Sequence, residues 1–321
     1  MSSIINKNPI ISIIIPCKKI DNYTRECIEY CKKLDYDNYE IIVLPDNSNE
    51  NIEGVNIIPT GNVTPGKKRN IGIKNAKGEI LAFIDSDAKP ERDWLKNAIL
   101  YFKDPEIVAI GGPGITPAED SLMQKASGYI LSSFMVGGLS SRYKNSGRTK
   151  ESDDIHSCNF IIRKPIVEKI GWNEKYWPGE DTLICLEIKK LGKKIIQAPN
   201  IIVYHHRKPL FMAHLKQISG FGLHRGFFAK KYPKNSLKLT YFFPSFLLLF
   251  LFLGGIISYF SSVFRVIYFS LILVYLILTF INAIFAKDIK LFLPVWIGTI
   301  LTHLTYGVYF LVGLAKRELE K

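Results

Sequence analysis

The last third of the chain limits the possible folds more than any other part. After Lys238 come three long apolar stretches, at about 242–260, 263–285 and 291–314, with very few charges among them. Each has about the 20 residues that an α-helix needs to cross a bilayer. Only Ser261-Ser262 separate the first two, so these should form a tight hairpin. Lys230, Lys231, Lys234 and Lys238 stand just before the first stretch. A basic cluster at that place marks the cytoplasmic side of a membrane. Lys287 and Lys290, between the second and third stretches, agree with that orientation, whereas Lys316, Arg317 and Lys321 after the third do not. The larger upstream cluster decides the expectation, which is a multi-pass protein of the cell membrane with its preceding domain in the cytoplasm. His303 in the third stretch reads as a packing or hydrogen-bonding residue, because no chain of intramembrane charges accompanies it.

Up to that point the sequence reads differently. Ile10 to Pro16, Glu40 to Leu44, Val55 to Ile58, Ile80 to Ile84 and Val108 to Gly112 are short apolar runs bounded by turn residues, the pattern of buried strands. Helical spacing separates them: Cys27, Ile28, Cys31 and Leu34 share one face of a helix, and Ile71, Ile73 and Ala76 lie on a second. Alternation of this kind implies an α/β domain with a mostly parallel sheet covered by helices. The expected organisation is a domain over 1–208, a basic and aromatic amphipathic interface segment over 209–240, and a membrane domain over 241–321.

The formal net charge of +13 suits nucleic acid, phosphorylated ligands or an anionic membrane surface. With membrane spans present and no nucleic-acid motif in view, the last two are favoured and no nucleic-acid partner is expected. The five cysteines form no CxxC pair and read as reduced, buried thiols. The stretch Met1 to Pro9 is short and polar and is not expected to be a signal peptide.

The stretch Gly78 to Trp94 concentrates the chemistry. Its apolar run ends abruptly in Asp85-Ser86-Asp87. Carboxylates at the end of a buried strand are costly unless something pairs with them, and ligand sites of open α/β sheets lie at strand carboxyl ends. A divalent cation shared with a diphosphate fits that place, since hard cations take carboxylate and phosphate oxygens together. An acidic turn capping the helix near Pro90 is the alternative. Lys67-Lys68-Arg69 opens a helix after Pro65-Gly66, where backbone N–H groups and a guanidinium would meet an anion, or would form a solvated basic face. The Gly-, Ser- and charge-rich segment from Gly137 to Asp154 reads as a mobile flap or a surface insertion. Trp177-Pro178-Gly179 precedes Glu180-Asp181, where Asp181 is either a helix cap or a carboxylate held as general base. Tyr204 delivers the His205-His206 pair, a better ligand candidate than a lone histidine.

Taken in order, Ser12 to Pro16, Pro45-Asp46, Gly66 to Gly72, Asp85-Ser86-Asp87, Gly179-Glu180-Asp181 and His205-His206 resemble the family 2 glycosyltransferases, over roughly residues 10 to 230. More narrowly they resemble the membrane-attached members that build exopolysaccharides and other surface or lipid-linked glycans. The resemblance implies a GT-A fold, a nucleotide-sugar donor (UDP-linked by analogy) and a divalent metal, Mn²⁺ or Mg²⁺. It places Pro16, Asp46, Lys67, Arg69, Asp85, Glu180 and Arg225 about the nucleotide and its phosphates. Asp85, Asp87 and His206 (or His205 beside it) would bind the metal, and Asp181 would be the catalytic base. The expected reaction is inverting transfer to a lipid-linked or membrane-proximal glycan acceptor. Gln217 is not followed by the RW pair of processive synthases, so single-sugar addition is expected rather than polymerisation. Alternatives are direct transfer to a polyprenyl phosphate, a non-catalytic nucleotide-sugar sensor or scaffold, and a secreting synthase that works as an oligomer.

Overall fold

The structure is a computed structural model, and it describes residues 8–319. The greater part of the Met1–Pro9 stretch and Lys321 of the C-terminal basic group lie outside the described residues. The chain divides into two compact units, one of residues 1–115 and 141–206, the other of 116–140 and 207–320. Residues 116–140, which the apolar pattern left inside the first domain, group with the second.

The first unit contains β1 (Ile11–Pro16), α1 (Asn22–Cys31), β2 (Tyr39–Leu44), β3 (Val55–Ile57), α2 (Pro65–Asn75), β4 (Ile80–Ile84), β5 (Ala88–Pro90), α3 (Trp94–Tyr101), β6 (Ile107–Gly111) and β7 (Gly114–Ile115). The second then contributes α4 (Leu122–Ser132). The first resumes with β8 (Lys150–Glu151), β9 (Asn159–Arg163), α5 (Lys164–Ile170), α6 (Glu180–Lys190), β10 (Lys194–Gln197) and β11 (Val203–His205). An eight-stranded sheet has the order β3-β2-β1-β4-β9-β6-β10-β8, and β5-β11-β7 form a small second sheet. The large sheet is mostly parallel. β9 runs antiparallel to both β4 and β6, and β8 antiparallel to β10.

Successive strand residues face opposite sides, so one run of isoleucines fills two cores. Ile11, Ile13 and Ile15 of β1 join Ile80, Ala82 and Ile84 of β4 under α1 and α3, with Cys27, Ile28, Trp94 and Leu95. Ile14 joins Leu81 and Phe83 on the other face, with Ile73, Val167, Ile184 and Ile188 from α2, α5 and α6. The helices therefore cover both faces, as the unbroken apolar strands require. All five cysteines are unbridged and buried.

The second unit continues with α7 (Met212–Lys231), α8 (Pro233–Ser236), α9 (Leu239–Phe260), α10 (Ser262–Ile284) and α11 (Ile289–Ala315). The last three are each long and apolar enough to cross a membrane. α7 lies against α11 because glycines allow it. A Cβ on Gly226 would come within 2.0 Å of the Phe310 carbonyl oxygen, and one on Gly313 within 2.1 Å of that of Leu223. The apolar face of α4, with Ala126 and Ile130, packs with Leu210, Ala283, Leu291 and Val295. His303 bonds the Tyr275 hydroxyl at 2.9 Å and the Met135 carbonyl at 3.1 Å, the hydrogen-bonding part expected of it.

Candidate active site

Register brings three strand ends to one edge. Pro16 pairs with Leu44, and Ile14 with Phe83. Pro16 therefore closes β1 on the same edge as Asp46, two residues past β2, and Asp85, the first residue past β4. This is where the sheet's topology puts a ligand.

Arg69 ties the edge together. It projects from the second turn of α2 and is 2% exposed. Its Nη1 donates to Glu180 Oε1 at 2.8 Å, its Nη2 to Asp85 Oδ1 and to Ser157 Oγ, both at 3.0 Å, and its guanidinium stacks on Trp172 at 4.7 Å. The start of α2 is pressed against the loop after α5: a Cβ on Gly66 would lie 2.2 Å from the Asn173 carbonyl oxygen. Lys68, not Lys67, reaches Asp46, with Nζ 2.6 Å from Oδ1, and it also donates to Thr60 Oγ1 at 2.7 Å. Lys67 is exposed.

The ligand atoms of Asp85, Asp87 and His205 all lie within 4.8 Å of one another. His205 Nε2 is 3.0 Å from Asp87 Oδ1. Burial opposes charge on this imidazole, but Cys158 and Asp87 outweigh it and raise its pKa to about 10. His206 faces the other way, with Nε2 2.9 Å from Glu26 Oε2 and its ring 4.5 Å from that of Tyr23. Neighbouring strand residues point to opposite sides, so the two histidines cannot share one site. Two carboxylates and an imidazole nitrogen converging at a strand end fit a Mn²⁺-like cation.

Glu180 and Asp181 form the first turn of α6, where the helix dipole favours negative charge. Glu180 is buried against Arg69. Burial raises its pKa to about 7, against the pull of Arg69 and with a push from Asp181. Asp181 is partly exposed, and its Oδ2 lies 3.4 Å from Arg142 Nη1. Arg142 also pairs with Asp154 at 2.5 Å, and Asp154 accepts from Thr182 Oγ1 at 3.1 Å. Arg142 was not singled out in the sequence. It closes a 3₁₀ segment, Phe134–Arg142, within the stretch read as a flap, and Ser141 and Gln197 hold that end through a 2.6 Å bond. Arg225 belongs to the second unit, stacked on Tyr241 at 4.6 Å with Nη1 3.4 Å from Ser236 Oγ.

Residues 12–171 match the family described as glycosyl transferase family 2. The chain is a family 2 glycosyltransferase. Among curated relatives, this transferase is 26% identical over 269 residues to a dolichyl N-acetyl-α-D-glucosaminyl phosphate 3-β-D-2,3-diacetamido-2,3-dideoxy-β-D-glucuronosyltransferase of Methanococcus voltae, covering 78% of this chain and 83% of that one. It is 24% identical over 280 residues to a probable glycosyltransferase of Bacillus subtilis, covering 78% of this chain and 64% of the other. Among solved structures, a mannosyltransferase of Pyrobaculum calidifontis in complex with GDP-Man and Mn²⁺ superposes with a TM-score of 0.64 at 15% identity, over 96% of this chain and 87% of that one. This glycosyltransferase thus has the GT-A fold that the resemblance implied.

Proposed function

We propose that this enzyme is an inverting, metal-dependent transferase. It moves one sugar from a nucleoside-diphosphate donor to a sugar already carried on a membrane lipid. The convergence of Asp85, Asp87, His205, Arg69 and Asp181 at one sheet edge carries the reading. Asp85, Asp87 and His205 would hold a divalent cation, which when bound stabilises the charge that develops on the leaving diphosphate. Asp46, fixed by Lys68 beyond β2, is placed to meet the nucleoside. Arg69 is paired with two carboxylates, so its part is to hold the edge in shape beside the diphosphate. Asp181 takes the proton of the attacking hydroxyl, and one base with direct displacement gives inversion. Arg142 Nη1 lies 3.4 Å from its carboxylate and helps to orient it.

The name of the Methanococcus relative specifies a lipid-linked sugar phosphate as substrate, which supports an acceptor of that class here. The three apolar helices suit a membrane-bound acceptor, and the lysines ahead of α9 support a cytoplasmic side for the catalytic unit. Arg225 and the lysines at the end of α7 suit contact with the acceptor's phosphate.

The test is nucleotide binding by the detergent-purified chain, titrated with UDP, GDP, dTDP and CMP in Mn²⁺, in Mg²⁺ and with chelator. One diphosphate, UDP first among them, should bind only with metal, and Asp87→Asn should weaken it at least tenfold. Binding that ignores both metal and Asp87 would overturn the proposal.

A further inference from the structure

Two side chains, His156 and Cys158, gather beside His205. A Cβ on Gly114 would lie 3.0 Å from His156 Cε1, 3.4 Å from Cys158 Sγ and 3.6 Å from His205 Cβ. All three are therefore packed about the short strand β7. Their hydrogen bonds are read inward from two fixed acceptors, the Gly112 carbonyl and the Asp87 carboxylate. His156 Nε2 lies 3.0 Å from the Gly112 carbonyl oxygen. A carbonyl can only accept, so Nε2 carries the proton and Nδ1 of the neutral ring is a lone pair. Cys158 Sγ is 3.2 Å from that Nδ1, so the thiol proton points at His156. The sulfur is then left as an acceptor, and His205 hydrogen-bonds it. The Asp87 carboxylate can only accept, so His205 donates to it from Nε2, and Nδ1 is the nitrogen left to donate to the sulfur.

We infer that His156 and Cys158 are positioning residues that keep Nδ1–H of His205 on the sulfur, so that Nε2, turned to Asp87, is the nitrogen that gives up its proton to bind a cation there. The relay runs from the Gly112 carbonyl through His156 and Cys158 to His205, and it ends where His205 Nε2 donates to Asp87 Oδ1 at 3.0 Å. A cation bound at Asp85 and Asp87 would take the place of that proton. Metal-bound histidines commonly have their second nitrogen fixed in this way, and loss of the fixing group typically costs 10–100-fold in metal affinity. Here the fixing group is a thiol, itself fixed by a second histidine. His156 and Cys158 are 8% and 2% exposed, too buried to meet substrate, which leaves orientation as the role open to them.

The inference rests on the proposed metal site, and the experiment separates the two. Mn²⁺ binding to the full chain in detergent, alone and with UDP, is followed by electron paramagnetic resonance. Wild type should bind and Asp87→Asn should not. If wild type fails to bind, or Asp87→Asn binds equally well, the metal site itself is wrong. Where that control holds, Cys158→Ala and His156→Phe should each bind Mn²⁺ about 10–100-fold more weakly. Cys158→Ser, whose hydroxyl both donates and accepts, should return to within about threefold of wild type, which a purely volumetric role for the sulfur would not produce. Spin-echo modulation from a directly bound imidazole nitrogen should be present in wild type and Cys158→Ser. Unchanged Mn²⁺ affinity in the alanine and phenylalanine variants overturns the inference. So does absence of the imidazole signal from Mn²⁺-loaded wild type, a measurement that does not depend on any variant folding.

Discussion

Arg69 donates to Glu180 at 2.8 Å across 111 residues of sequence. The same guanidinium holds Asp85 at 3.0 Å, so one cation serves the strand end and the helix that carries the base. Neither Arg69 nor Glu180 has appreciable access to water. Burying such a pair gains little net stability, but breaking it leaves a charge that nothing satisfies. Arg69→Met should therefore cost about 3–5 kcal/mol in chemical unfolding. The Arg69→Met/Glu180→Gln double variant should lose less than the sum of the two single changes, because the second removes the charge that the first strands. Additive losses would show that the two residues are not coupled.

Asp181→Asn keeps the shape of the first turn of α6 and removes the base. Turnover should fall about 10²–10⁴-fold, with metal-dependent nucleotide binding kept within about twofold. Single-turnover transfer beside a binding titration separates these effects. Retention of more than a tenth of wild-type turnover would assign the base elsewhere.

His214 gives the second unit a pH dependence of known sign. It is fully buried, accepting from Ser127 Oγ at 2.8 Å and donating to Thr302 Oγ1 at 2.9 Å, since Thr302 itself donates to the Gly298 carbonyl. Burial lowers its pKa from 6.5 to about 4. Between those values the unfolded chain binds a proton that the folded chain does not, so stability is lost as pH falls through the window. The melting temperature of wild type should drop more steeply than that of His214→Gln from pH 6.5 to pH 4. Parallel curves would mean that another group sets the acid limit.

The α7–α11 seam tolerates no side chain at Gly226. Gly226→Ala puts a methyl into the Phe310 carbonyl and should destabilise by about 1–3 kcal/mol or more. Gly255→Ala is the control. Its nearest neighbour is the Tyr268 hydroxyl at 3.4 Å, an ordinary contact, so it should be neutral or stabilising by up to about 1 kcal/mol. Thermal melts of the two variants in one detergent decide the point.

The parts of this protein that are legible in its sequence are those written in long or periodic apolar patterns. The isoleucine runs give β1, β2 and β4, the spacing of Cys27, Ile28 and Cys31 gives the face of α1, and the three apolar stretches give α9 to α11. Helix α4 was not foreseen, because the small residues Ala126, Ser127 and Gly128 break up its apolar run. Choices between neighbours were also hidden. Lys67 and Lys68 differ by 100° on a helix and His205 and His206 by a half-turn on a strand, and no apolar pattern fixes the phase of a polar pair. Arg142 sits in a stretch rich in glycine and serine, where only the folded chain reveals that its charge meets Asp154 and Asp181.

The excursion of residues 116–140 has a practical consequence. The chain leaves the catalytic unit after Ile115, builds α4 into the other unit, and returns at Ser141. A single stop codon placed after His206 would therefore not yield a clean soluble enzyme. It would leave α4 attached, its Ala126 and Ile130 stripped of Leu210, Leu291 and Val295 and open to aggregation. A water-soluble catalytic fragment needs two edits, the truncation and a linker that replaces residues 116–140.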